Sequence, residues 1–218
     1  MNESDRRLIE EAFPLKQASL DSVHEKSVNH GHISTMHIWP ARRPLAACRA
    51  ALIATLLPDP EDKDERRKIV KKIGGELTEK TTRSGNVKEA TEGGVLHWKR
   101  ESSPLMDDFR EQIRDAFDGR APRILDPFAG GGAIPLEAMR LGCDATAIDL
   151  NPVAWFILKC TLDYPQRLAG EHRPLPDFAL QNPDFMDTYL KKETGLTRTK
   201  RERQMKKVRD GSFAFKNG

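Results

Sequence analysis

The sequence predicts an α/β protein, with a partial parallel sheet preceded by a helical N-terminal module. Three observations carry this expectation. Residues 123–162 run strand, glycine-rich turn, helix, strand, helix, a succession that implies parallel strands joined by a crossover helix. Residues 45–57, LAACRAALIATLL, are apolar nearly all round, which marks a buried helix. With 38% hydrophobic and 32% charged residues among 218, the chain can bury a core while much of it stays solvated.

Taken in order, Leu8, Ile9, Ala12 and Phe13 stand at helical spacing before Pro14, predicting a short helix and then a second from about Leu20. Residues 29–44, NHGHISTMHIWPARRP, are polar, aromatic and proline-punctuated and read as an ordered loop. Pro44 suits the first position of the apolar helix, and Pro58 and Pro60 end it. Residues 61–73 are dense in opposite charges and predict a surface helix, whereas 74–104 hold few large apolar residues and predict a loop or loose insertion. Residues 106–117 place Phe109, Ile113 and Phe117 on one helical face.

Residues 123–126 form a strand and 127–132 the glycine-rich turn. Helix 133–141 is closed by Gly142, and a second strand, 144–148, ends at Asp149. Asn151 and Pro152 cap and start a helix over 153–162. The chain is proline-rich after Tyr164 and strongly basic over 191–209. The expected division is a helical module (1–58), a charged insertion (59–104), a half-domain carrying the sheet (105–190) and a basic tail (191–218).

The net charge of +3 is modest and indicates no polyanionic partner by itself; the gathering of cations near the C-terminal end is more informative. The N-terminus is charged rather than apolar, and the apolar segment 45–57 is too short to span a bilayer, so a soluble, cytoplasmic protein with no membrane partner is expected. Cys48, Cys143 and Cys160 are scattered, which argues against a disulfide framework or a complete zinc ribbon and for small buried hydrophobes. His30, His32 and His37 have no cysteines near them, so loop hydrogen bonding or substrate contact is expected there, and no metal.

The chemistry concentrates in DPFAGGGAIPLEAMRLGCDATAIDLNP, residues 126–152. Three adjacent glycines after a strand let the backbone approach a ligand closely and adopt conformations closed to other residues. The helix that follows points free N–H groups back at the turn. Asp149 ends the second strand about twenty residues further on, where a carboxylate binds a ribose diol in Rossmann-like folds. The glycines do not follow the GxGxxG spacing of nicotinamide-dinucleotide sites.

DPFAGGG resembles the DPFxGxG cofactor motif of amino-methylating DNA methyltransferases, and residues 37–45, HIWPARRPL, resemble their HPxxKP-type segment. HGHISTMHIWPARRPLAACRAA and GAIPLEAMRLGCDATAIDLNPVAWFILKCTLDYPQ are together similar to the DUF1156 family. Its members are N-terminal regions of adenine-specific DNA methylases, often encoded among phage-defence genes. The resemblance spans residues 5–58 and 105–190.

It implies a partial Rossmann-like methyltransferase fold that takes S-adenosyl-L-methionine as cofactor. This cofactor has no pyrophosphate, so the turn would pack against its amino-acid and ribose portions. By position, Asp126, Phe128, Gly130 and Gly132, with Ala129 and Gly131 between them, would form the loop against it. Asp149 would hold the ribose hydroxyls, Leu150 and Asn151 would flank the adenine, and Pro40, Arg42 and Pro44 would border the methionine end.

Amino-methylating enzymes of this kind use a [DNS]PP[YFW] tetrapeptide on the flipped base, and this sequence contains none. The nearest string, Asn182-Pro183-Asp184-Phe185, reads as a helix-start cap. Catalytic residues therefore stay unassigned. The expectation is the cofactor-binding portion of a DNA adenine-N6 methyltransferase, truncated or split. Its expected partners are DNA, met through the complete enzyme, and a second polypeptide bearing the tetrapeptide. The alternatives are a non-catalytic cofactor-binding subunit and an inactive remnant. Arg42 and Arg43 beside Trp39 offer phosphate or base contacts, and so does the basic run 191–209, whose other reading is a solvated tail.

Overall fold

The structure, a computed structural model, describes residues 6–25, 39–81, 85–97, 99–171, 175–195 and 197–209. They form two compact units, Met1–Arg167 and Leu168–Gly218.

The first unit opens with helices α1 (Leu8–Glu11) and α2 (Leu15–His24). The second of these starts immediately after Pro14, its N-cap, earlier than the expected start near Leu20; proline's fixed φ favours a helix start. Helix α3 (Leu45–Leu56) follows Pro44, which is its N-cap. Asp62 then caps α4 (Lys63–Gly74) by accepting from the Asp64 and Glu65 N–H groups. The expected loop at 29–44 is described only from Trp39 onward, where Pro40 and Ala41 form a turn.

The expectation of a loose insertion over 74–104 is overturned in part. Strands β1 (Glu76–Thr81) and β2 (Val87–Glu92) pair antiparallel. Glycine pairs bracket this ribbon: Gly75 (φ +76°) and Gly94 (φ +66°) bring its two ends so close that a Cβ on either would lie 2.5 Å from the other end's backbone. Polar composition hid the strands, but Thr and Val favour extended backbone and the glycine pairs form the root.

Helix α5 (Pro104–Ala116), capped by Ser103, buries Met106, Phe109 and Ile113. Strand β3 (Arg123–Asp126) then leads through the glycine turn into α6 (Ala133–Arg140), and β4 (Asp144–Ala147) pairs parallel to β3 with Arg123 opposite Asp144 and Asp126 opposite Ala147. Asn151 caps α7 (Pro152–Leu158) by accepting the Val153 N–H. That helix runs into a π-helical turn, Lys159–Asp163, and then α8 (Tyr164–Arg167), rather than staying α-helical to Leu162.

One core runs through the helical module and the start of the sheet. Leu8, Ala50, Ile53, Ile73, Met106, Phe109 and Ile113 share it with Ala138, Leu141 and Cys143. Within it lies Arg49, on the apolar α3. Its Nε donates to Glu137 Oε2 on α6 at 2.6 Å and its Nη2 to Glu137 Oε1 at 3.1 Å, while Nη1 donates to the Val95 carbonyl. Burial alone would lower the guanidinium's proton affinity, but its bonds to Glu137 outweigh that and raise it. Charge buried this completely survives only when paired and hydrogen-bonded. Cys48 and Cys143 are buried as expected, and burial pushes their thiols up to about 12 and about 11, whereas Cys160 is exposed.

In the second unit, α9 (Asp177–Leu180), α10 (Pro183–Thr194) and α11 (Arg198–Arg209) follow one another. The basic run is therefore helical over 191–194 and 198–209, and its Arg201 is buried in an ion pair with Asp187 at 2.8 Å. Among the described residues no helix is long and apolar enough to cross a membrane.

Candidate functional site

A cleft of about 340 Å³ lies between the glycine turn and the segment preceding α3. Its floor is the end of the parallel pair, prolonged into the turn by the Ile148 N–H bonding the Asp126 carbonyl and the Ala129 N–H bonding the Ile148 carbonyl. Gly130 (φ +50°) and Gly132 (φ +81°) occupy backbone conformations that disfavour side chains.

Two carboxylates shape this floor. Asp149 Oδ2 accepts the Gly130 N–H at 2.8 Å, and Oδ1 accepts the Asn151 N–H at 2.8 Å. The acid at the end of the second strand therefore braces the turn laid down before the first helix, and each oxygen keeps a lone pair for a further donor. Asp126 Oδ1 accepts the Phe128 N–H at 3.1 Å.

The opposite wall comes from the N-terminal module. Trp39, Ala41, Arg42 and Arg43 line the cleft. A Cβ on Gly130 would lie 2.6 Å from Trp39 Nε1, and one on Gly131 would lie 3.2 Å from Trp39 Cβ. The close approach that demands glycine here is thus made by tryptophan from the same chain. Gly132 serves a different contact, with Leu158 and Leu162.

Glu25, at the end of α2, sets this wall. Its carboxylate accepts the Leu45 and Ala46 N–H groups at 2.8 and 2.6 Å and pairs with Arg42 at 3.4 Å. Burial raises its proton affinity, and the two N–H bonds and Arg42 act against that. Arg42 is thereby held to Glu25, while Arg43 is exposed and donates to the Ala41 carbonyl.

Of the residues singled out from sequence, Asp126, Phe128, Ala129, Gly130, Gly131, Asp149 and Arg42 line this cleft together. Gly132, Pro40, Pro44, Leu150 and Asn151 are not among its lining residues: Pro44 and Asn151 act as helix N-caps, and Leu150 stands 93% exposed. Trp39 and Arg43 line the cleft without having been assigned to the cofactor. Consecutive glycines accommodate a bulky neighbour as readily as a ligand, and nothing in the local sequence says that the neighbour is Trp39. Asn182 Oδ1 accepts the Phe185 N–H at 3.0 Å as the N-cap of α10, in agreement with the cap reading of that tetrapeptide. His30, His32 and His37 lie outside the described residues.

A glycine turn after one strand and a carboxylate at the end of the next, here joined by a hydrogen bond, are features found in nucleotide-binding α/β folds. Residues 104–215, just over half of the chain, match the D12 class N6 adenine-specific DNA methyltransferase family, and the chain belongs to that family. Residues 12–82 match DUF1156, described as a protein family of unknown function. Neither a curated protein nor a solved structure matches the chain.

Proposed function

We propose that the chain is the S-adenosylmethionine-binding portion of a DNA adenine-N6 methyltransferase with a Rossmann-like fold, and that the cofactor lies in the cleft between Trp39–Arg43 and the glycine turn. The observation that carries this is the Asp149–Gly130 hydrogen bond, which unites the acidic and glycine motifs at one ligand-sized opening.

The residues present fit the cofactor. The two lone pairs left on the Asp149 carboxylate suit a ribose diol. Asp126 and Arg43 line the same cleft without an ion pair between them, matching the ammonium and carboxylate of a zwitterionic amino acid. Phe128, which lines the cleft and is 82% exposed, suits one face of a purine. S-adenosylmethionine supplies a methyl group already activated on a sulfonium. The chain's own share is to bind and orient, with electrostatics fixed in advance. No residue here takes the role of the [DNS]PP[YFW] tetrapeptide.

A second reading is a cofactor-binding subunit whose open sheet edges take further strands and to which another polypeptide brings that tetrapeptide. Among the described residues β3 and β4 pair only with each other, and Leu125 on β3 is 62% exposed. Such edges accept further strands, and in an inactive remnant they would promote aggregation.

Titration calorimetry of S-adenosylmethionine into the purified chain, with NAD as control, tests the cofactor assignment. Saturable binding of the first alone is expected. No binding by a folded, monodisperse chain would defeat it.

A further inference from the structure

Strand β1 falls at the end of the first family match, which stops at 82, and β2 lies between it and the second, which begins at 104. Three facing pairs of the β1–β2 ribbon join like charges: Glu76 with Glu92, Glu79 with Glu89, and Lys80 with Lys88. Like charges placed opposite one another destabilise a strand pair. Each glutamate pair is relieved at one member. Lys71 bonds Glu76 and holds its carboxyl below the usual range, and Lys16 pairs with Glu89. Among the described residues no ion pair relieves Lys80 or Lys88.

Thr91 donates to Asp21 of α2 at 2.8 Å, and Glu89 meets Lys16 of the same helix, so that face of the ribbon leans on α2. Alternation along the strands places Lys80 and Lys88 on the opposite face, with Glu76 and Glu92 at the glycine root and the lysines at the far end, where both lysines are exposed.

We propose that this ribbon is a DNA-binding arm, in which the facing pair Lys80–Lys88 receives backbone phosphate. A two-stranded ribbon fits the major groove of duplex DNA. Lysines contact phosphate as compact point charges and position a protein without reading sequence. A phosphate between the two lysines removes the repulsion that the free protein leaves unrelieved. The proposal rests on the methyltransferase reading for its partner.

The test uses the full chain and labelled duplex DNA, with affinity followed by anisotropy from about 50 to about 200 mM salt. The K80A/K88A variant should lose affinity at low salt, and its slope of log affinity against log salt should fall in magnitude by about 2, as for two lost phosphate contacts. K80R/K88R should retain the wild-type slope. The alanine variant should unfold at the same or a higher denaturant concentration, because repulsion has been removed. An unchanged slope overturns the proposal. So does a variant with unchanged slope that now self-associates, since the lysines would then only guard an open strand edge.

S-adenosylmethionine titrated into both proteins separates the two readings. A chain that binds cofactor but no DNA overturns the arm alone. Loss of slope in a chain that binds no cofactor supports the arm and defeats the cofactor site.

Discussion

At the α3–α6 contact each nitrogen of the Arg49 guanidinium finds an acceptor inside the core, whereas on the β1–β2 ribbon like charges face one another in solvent. Both regions belong to the same unit. The first uses charge to fix geometry: the bidentate Arg49–Glu137 pair ties the helix that follows the Trp39–Arg43 wall to the helix that follows the glycine turn. The second answers its glutamate pairs at one member each but leaves Lys80 and Lys88 facing one another, where the proposed phosphate contact lies. Whether a charge is satisfied internally thus distinguishes framework from interface more surely than its sign does.

The largest expected effect breaks the first half of this comparison. Arg49→Met takes the bidentate donor from buried Glu137, leaving it only Arg140 at 2.6 Å, and should destabilise the chain by about 3–5 kcal/mol in chemical denaturation. Replacing Glu137 by Leu in the same chain should recover most of that loss, because a buried pair exchanged for apolar groups is often neutral. A double variant as unstable as the single one would refute the pairing account. Gly130→Ala comes next: its φ of +50° and the nearness of Trp39 Nε1 predict a loss of about 2 kcal/mol, together with weaker cofactor binding.

The smallest effect concerns a pair between these extremes. Asp59 accepts from Arg66 through both carboxylate oxygens, and the Arg66 hydrogen bond holds its carboxyl below the usual 3.8. A depressed carboxyl stabilises the fold above its unfolded value, and that contribution is lost as pH falls through the folded one. Asp59→Asn should therefore cost about 1 kcal/mol or less at neutral pH. Thermal unfolding should show the gap from wild type closing below pH 3.8; a gap that widened on acidification would contradict the assignment.

Local chemistry made the glycine turn legible before any coordinates. A strand, positive-φ glycines and an Asn-Pro cap each state their conformation in neighbouring residues, and β3, α6, β4 and α7 lie close to their expected positions. The ribbon was missed because its strands are held by backbone pairing and a glycine root, so the apolar alternation that reveals half-buried strands is absent. The cleft was half legible for a related reason. Asp126, Gly130 and Asp149 sit within one motif, but the role of Trp39 depends on a contact with residues about ninety positions away, which no local pattern encodes. The division of labour between Arg42 and Arg43 depends likewise on Glu25, a buried carboxylate contributed by another helix.

The central claim is that Asp149 joins the glycine turn to a cofactor cleft, and the affinity of Asp149→Ala for S-adenosylmethionine, measured beside wild type and Asp149→Asn, tests it most directly. The account predicts at least a tenfold loss in the alanine variant and a smaller one in the asparagine variant, whose side-chain oxygen can still accept a hydrogen bond. Unchanged affinity in a folded Asp149→Ala protein would contradict it.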